Sequence, residues 1–386
     1  MIELAWFLLP VAAASGWWAA RRSAARSGHK RPATTPAYFR GLNYLLNEEP
    51  DKAIDVFMQL VEVDSETVET HLALGSLFRR RGEVERAIRI HQNLIARPSL
   101  DEEQRADALL ELAMDYMRAG LYDRAENLFL ELKEMRHHVR KALQNLLIIY
   151  QQERDWRACL KVARELQPLT SEPLGLAQAH YHCELAEEAL QRGEVDEAAR
   201  RLEKAIRAEP QCVRPRHLQA RMALEAGACS EAMDLLREIA VRKPEYVAEI
   251  LDDLRQCHVC LDDLEGFRAY LETLLEKRFD VDVALALTDL LQELKGQAAA
   301  SAFLSDQVEH HPNLRGLLRL MEINAELPDV QAGQVLTGLK THLERLLAER
   351  PAYQCTHCGY AAGHLHWQCP SCRQWSTLRR TQEPKE

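Results

Sequence analysis

A small residue recurs along this chain at Ala53, Ala87, Ala125, Ala158, Ala198, Ala232, Gly266 and Ala300, at spacings of 34, 38, 33, 40, 34, 34 and 34. Other positions keep the same register. Twelve residues before each small residue stand Gly41, Gly75, Ala113, Leu146, Ala186, Ala220, Leu254 and Thr288, and three residues further on the first units add Tyr44, Phe78 and Tyr116. Four residues after the small residue come Phe57, His91, Phe129, Val162, Leu202, Leu236, Tyr270 and Leu304. Small residues let two antiparallel helices approach closely, and the larger apolar positions fill the groove between neighbouring pairs. Pro210, Pro244 and Pro312 stand where a second helix has to stop.

A period of 34 is that of the tetratricopeptide repeat. The fold class expected is therefore all-α, a superhelix of eight helical pairs over residues 37–350. Extra residues around Ser99 to Glu102 and Leu169 to Gly175 absorb the longer spacings, and 314–349 form a poorly matched terminal pair. A generic helical bundle has apolar periodicity but does not hold one register over eight units. A superhelix of this kind offers a concave face, lined by the first helix of each pair, to a peptide, helix or protein partner. The most charged candidate for partner contact is Arg79, Arg80, Arg81, Arg86 and Arg89, which suits an acidic segment or an anionic lipid surface. Glu83 and Glu85 partly neutralise it, so a solvated helix face is the plainer reading.

Two further features bracket the repeats. Residues 4–20, LAWFLLPVAAASGWWAA, carry no charged side chain, and a helix of that length spans roughly 25 Å at about 1.5 Å per residue. Together with 1–3 it just crosses a bilayer core of about 30 Å. Arg21, Arg22, Arg26, Lys30 and Arg31 follow it and no basic side chain precedes it, so the positive-inside rule places the rest of the chain in the cytoplasm. Trp6, Trp17 and Trp18 suit the interfacial zones. Pro10 is tolerated in a membrane span more readily than in a soluble helix. Residues 1–20 are thus expected to be a single-pass anchor with a periplasmic N-terminus, and 21–36 a linker. A secretory signal peptide, with Ala12 to Ala14 as its cleavage site, is the alternative, but such peptides carry their positive charge before the apolar core.

At the other end, Cys355 and Cys358 form one C-x-x-C knuckle and Cys369 and Cys372 a second, ten residues apart. Each knuckle presents two thiolates from one tight turn, and four sulfurs close a tetrahedron around one metal ion. Gly359 supplies the backbone freedom such a turn needs, and Pro370 stiffens its counterpart. Residues 351–386 are too few to fold on apolar burial alone, so metal binding and folding should be coupled. A full thiolate shell leaves no open position for water, which makes the site structural. Zinc and iron both accept it, and spacing does not separate them. His357, His364 and His366 lie nearby and are read as surface or supporting groups. Trp367 and Trp375 are expected to pack the module onto the last repeats, making it a rigid part of the solenoid end.

The remaining cysteines invite no chemistry. Cys257 and Cys260 also read C-x-x-C, but Cys257 holds the repeat position of Tyr44, Phe78 and Tyr116 and is a packing residue. Cys159, Cys183, Cys212 and Cys229 have no ligand spacing. In a reducing compartment all ten are expected as thiols or metal ligands and not as disulfides. The formal charge of −10 argues against a nucleic-acid partner. With no Walker-type glycine loop, no H-E-x-x-H and no G-x-S-x-G in the chain, no enzymatic activity is expected.

The segments ELAWFLLPVAAASGWWAARRSA, GSLFRRRGEVERAIRIHQNL, YQCTHCGY and HWQCPSCRQWST together resemble the lipopolysaccharide assembly protein B family of Gram-negative bacteria, over essentially the whole chain. The resemblance implies a rubredoxin-like module ligated by Cys355, Cys358, Cys369 and Cys372. The ten-residue separation and Arg373, where a glycine commonly follows the second pair, depart from a true rubredoxin and count against electron transfer. It further implies an inner-membrane adaptor that brings the lipid A deacetylase to a membrane-bound, ATP-dependent zinc protease for degradation. A lipopolysaccharide-sensing membrane protein opposes this in the family, and lipopolysaccharide assembly components are further partners. The alternative is a scaffold joining synthesis enzymes to the export machinery.

Overall fold

In a computed structural model the chain is described at residues 39–41, 43–44, 49, 52–56, 68–324, 339–347 and 350–381. The expected anchor at 1–20 and linker at 21–36 lie outside these residues. Among the described residues no helix is long and apolar enough to cross a membrane.

The helices come in pairs. They are α1 (Val68–Arg80) with α2 (Val84–Ile95), α3 (Glu102–Ala119) with α4 (Tyr122–Glu134), and α5 (Val139–Glu153) with α6 (Trp156–Leu166). Next come α7 (Gly175–Gln191) with α8 (Val195–Ala208), α9 (Val213–Glu225) with α10 (Cys229–Arg242), and α11 (Val247–Cys260) with α12 (Leu264–Lys277). Last are α13 (Val281–Lys295) with α14 (Gln297–His310), followed by α15 (Leu314–Ile323). Pair one, around Gly41 and Ala53, is described only in part, so α1 and α2 are pair two. The chain divides into two compact units after Leu146, within α5.

In pairs two to eight the second helix buries its fourth residue: Ala87, Ala125, Cys159, Ala198, Ala232, Phe267 and Ala300 are all at most 1% exposed. So are the residues one turn later, His91, Phe129, Ala163, Leu202, Leu236, Leu271 and Leu304. This corrects the sequence register in pairs four and seven. There the buried residues are Cys159 and Phe267 in place of Ala158 and Gly266, which are partly exposed, and Ala163 and Leu271 in place of Val162 and Tyr270. The cause lies in the turn between the two helices. Five residues before the buried position the backbone takes positive φ at Gly82, Gly120, Gly193 and Gly227, but at Arg154 and Asp262 in pairs four and seven. Those two turns sit one residue further from the buried Leu146 and Leu254 of the first helix, and they lack the glycine that marks the others.

In the first unit, α3 opens on a capping box: Asp101 accepts from the Gln104 backbone N–H at 2.8 Å, and the Gln104 side chain accepts from the Asp101 N–H at 3.3 Å. The core of pair two is Leu74, Leu77, Phe78 and Ala87. At Gly75 a Cβ would overlap the ring of His91, so glycine there permits the close approach of α1 and α2. The second unit has a continuous core running through pairs six to eight, from Val213 to Leu304.

Residues 353–380 belong to the second unit and form a three-stranded antiparallel sheet of β1 (Tyr353–Cys355), β2 (Ala361–Ala362) and β3 (Leu378–Arg380), in the order β2-β1-β3.

Candidate metal centre and its docking face

The two knuckles are built alike. Cys355 N donates to Tyr360 O at 2.8 Å and Cys369 N to Gln374 O at 2.9 Å. Gly359 N donates to Cys355 O at 2.9 Å and Arg373 N to Cys369 O at 2.8 Å. The residue after each second cysteine has positive φ, 77° at Gly359 and 59° at Arg373. Arg373 therefore does by strain what Gly359 does freely, and the glycine expected there is dispensable.

This pairing of turns brings Cys355, Cys358, Cys369 and Cys372 together, with all four Sγ atoms within 4.8 Å of one another. Cys355 and Cys372 are 3.7 Å apart, as are Cys358 and Cys369. The His357 N–H reaches Cys355 Sγ at 3.4 Å and Thr377 Oγ1 lies 3.3 Å from the same sulfur. Against the effect of burial, the hydrogen bonds from Thr377 and from the backbone of Cys358 and His357 pull the Cys355 thiol down to about 6. Burial pushes Cys372 up to about 12, and the neighbouring sulfurs add to it. Four sulfurs this close cannot all carry charge without a cation between them, and the donor set fits one metal ion with tetrahedral preference. His357 and His364 are exposed, and neither they nor His366 join the four sulfurs.

The module is not confined to the last repeats as expected but reaches back to pairs four and five. Trp375 is buried against pairs four and five: its ring stacks on His180 with centroids 4.6 Å apart and meets Trp156 and Tyr181 edge-on at 6.2 and 5.9 Å. Trp367 stacks on Tyr246 at 5.7 Å, beneath the Arg214 guanidinium at 5.9 Å. Polar contacts frame these rings. Gln368 Nε2 donates to Gln151 Oε1 at 3.1 Å, His180 Nε2 lies 2.8 Å from Ser376 Oγ, and Arg379 Nη1 donates to the Tyr246 hydroxyl at 2.6 Å. The Tyr353 hydroxyl donates to Glu249, and Arg380 pairs with Glu249 and Asp282. Gln151, His180, Arg214, Glu249 and Asp282 stand on α5, α7, α9, α11 and α13, so the module covers the first-helix face of pairs four to eight. The physical reason is chemical supply: stacking partners for two indoles occur at Trp156, His180, Tyr181 and Tyr246, on pairs four, five and seven.

Trp367 and Trp375 were singled out by the sequence, but none of their partners on the repeats was. The available signal was the run His180-Tyr181-His182-Cys183 in α7, which places more aromatic and imidazole surface on a first helix than its own pair requires.

The arginine cluster divides. Arg79 is engaged inside the first unit, donating to Glu111 Oε2 at 2.6 Å and Asp115 Oδ1 at 2.7 Å with its side chain 16% exposed. Asp115, fully buried, also holds His91 Nδ1 at 2.6 Å. Arg81 and Arg86 pair with Glu83, and Arg86 lies over the Phe78 ring. Arg80 and Arg89 are exposed.

A second correction concerns Cys229 and Cys260. Both were expected as thiols; the structure joins them in a disulfide with Cα atoms 6.3 Å apart. The pair was invisible to local spacing because its members are 31 residues apart and meet only when pairs six and seven stack. Cys257, one turn before Cys260, is a buried packing thiol as expected.

Helical pairs of this kind, with a closed four-sulfur centre laid on their first-helix face, define a tetratricopeptide-repeat protein carrying a rubredoxin-like metal module. Family models agree, matching a tetratricopeptide repeat at residues 70–106 and 183–247 and a rubredoxin metal binding domain at 353–380. The chain is 37% identical over 381 residues to lipopolysaccharide assembly protein B of Escherichia coli K12, covering 98% of each chain. It is 35% identical over 393 residues to the protein of that name from Haemophilus influenzae, again covering 98% of each. The chain belongs to the lipopolysaccharide assembly protein B family.

Proposed function

We propose that this protein is a membrane-tethered adaptor in lipopolysaccharide assembly, one that limits synthesis by presenting the lipid A deacetylase to a membrane-bound, ATP-dependent protease. The observation that carries this reading is family membership over 98% of the chain, joined to a repeat surface suited to protein partners. In this reading residues 1–20 anchor the chain in the inner membrane with its bulk in the cytoplasm. Tethering raises its effective concentration beside a protease held in the same bilayer. The first-helix face of pairs four to eight is occupied by the metal module, so substrate meets the module's outer surface and the first unit. There the exposed Arg80 and Arg89 present positive charge to an acidic partner. A lipopolysaccharide-sensing membrane protein would act on the same assembly.

The test is the half-life of the deacetylase after translation is blocked, followed by immunoblot in cells with and without this protein. A long-lived, accumulating deacetylase on depletion supports the adaptor. An unchanged half-life with disturbed lipopolysaccharide output rejects it in favour of a scaffold joining synthesis to export.

A further inference from the structure

Cys229 is the first residue of α10, the second helix of pair six, and Cys260 the last residue of α11, the first helix of pair seven. Their bond therefore fastens two neighbouring repeats to each other. The same two repeats hold Trp367: Arg214 on α9, the partner helix of α10, lies over the indole, and Tyr246, immediately before α11, stacks on it. Glu249 on α11 receives the Tyr353 hydroxyl. The spacing of pairs six and seven thus sets the width of the slot that grips the metal module.

The two cysteines differ in exposure. Cys229 is 4% exposed, whereas Cys260 is exposed. Cys229 also sits at a helix N-terminus, where the helix dipole favours thiolate over thiol. Cys257 is no competitor, since burial pushes its thiol up to about 11.

We propose that Cys229 and Cys260 form a reversible thiol–disulfide site whose oxidation state controls how firmly the metal module is held on the repeats. In the reducing direction a small-molecule thiolate attacks Cys260 Sγ. The Cys229–Cys260 bond breaks, Cys229 leaves as a thiolate and takes up a proton, and a mixed disulfide remains on Cys260. A second thiolate attacks the outer sulfur of that mixed disulfide, forms the small-molecule disulfide and releases Cys260 as a thiolate. Two thiols are oxidised and one protein disulfide is reduced. In the oxidising direction the Cys260 thiolate attacks a small-molecule disulfide, expelling one thiol, and Cys229 then attacks Cys260 Sγ and expels the other. In a reducing compartment the dithiol is the resting form, and oxidant tightens the grip on the module.

The test uses the full chain in detergent, loaded with metal and equilibrated with either oxidised or reduced glutathione. A non-reducing peptide map reads the bond, and hydrogen exchange over residues 365–380 reads the grip. Under oxidised glutathione the map shows Cys229 linked to Cys260. Under reduced glutathione the link is lost and exchange over 365–380 rises about tenfold at unchanged metal content, as a locally opened contact requires. Cys260→Ser exchanges fast in both buffers, and Cys159→Ser responds as the parent does. Failure of the link to form, or equal exchange in both redox states, overturns the proposal. Neither readout depends on deacetylase turnover, so this result and the adaptor reading stand or fall separately.

Discussion

Trp375 and His180 stack with ring centroids 4.6 Å apart and planes 14° apart, although 195 positions separate them in the chain. The imidazole also reaches Ser376 Oγ and lies fully buried, so it serves as the seat for the module's second knuckle. Replacing Trp375 by alanine removes the indole from a nest formed by His180, Tyr181 and Trp156. A cost of about 3 kcal/mol is expected from truncating a buried aromatic side chain. Limited proteolysis should then release a fragment containing residues 353–380, while the metal stays bound because no ligand has changed. A module as protease-resistant as the parent's would show that the stack does not hold it.

His180 also gives docking a pH dependence. Burial first, and then the nearby Arg214 charge, lower its pKa from 6.5 to about 3. Docked, it is neutral; released, it regains its ordinary value. The contact is therefore fully favourable above pH 6.5 and weakens as pH falls toward 3, by about 2 kcal/mol at pH 5. Glu249 and Asp282 face the module's Arg380. Hydrogen exchange over 365–380 measured at pH 6.5 and 5, corrected for the intrinsic rate, should show the loss. His180→Gln should flatten it, and an equally steep profile in that variant would locate the proton elsewhere.

Arg79 and Arg89 lie in one arginine-rich stretch yet should behave oppositely. Removing Arg79 leaves the fully buried Asp115 with His91 alone, and breaking such a network costs about 3 kcal/mol. Arg79→Ala should therefore loosen α1 to α3, seen as faster hydrogen exchange there, whereas Arg89→Ala should change stability by no more than about 0.5 kcal/mol. If the proposed partner surface is real, Arg80→Glu with Arg89→Glu lengthens deacetylase half-life without unfolding the first unit. Equal destabilisation by Arg79→Ala and Arg89→Ala would contradict the assignment.

Changing Cys355 and Cys358 to serine removes half of the sulfur cage. Metal content should fall from one ion per chain to none, measured by plasma emission on purified protein. The β1-β2-β3 sheet should unfold with it, because a segment this short buries too little apolar surface to fold alone. The same preparation of the parent protein identifies the ion: four-sulfur iron absorbs visible light and zinc does not. Retained metal in the double variant would refute the ligand assignment.

Much of this molecule was legible in one dimension. The repeat showed itself because the second helices of pairs two to eight bury their fourth residue, and most of these pairs keep an alanine there. It slipped by one where Cys159 and Phe267 fill that position and where Arg154 and Asp262, not glycine, make the turn. The four metal ligands were readable because two tight turns impose a local spacing on their own cysteines. Arg79 was misleading, since its neighbours in sequence are solvated while its partners, Glu111 and Asp115, lie on the next first helix.

The sequence by itself determined the helical pairs and the sulfur cage, because each is written in contacts between residues close along the chain. Three things were decided only by the tertiary structure: the seat of the metal module on pairs four to eight, the Cys229–Cys260 bond, and the division of the arginines into buried and exposed. All three depend on surfaces from different repeats meeting in space. A local period specifies that the repeats stack, but not which side chains the stack brings face to face.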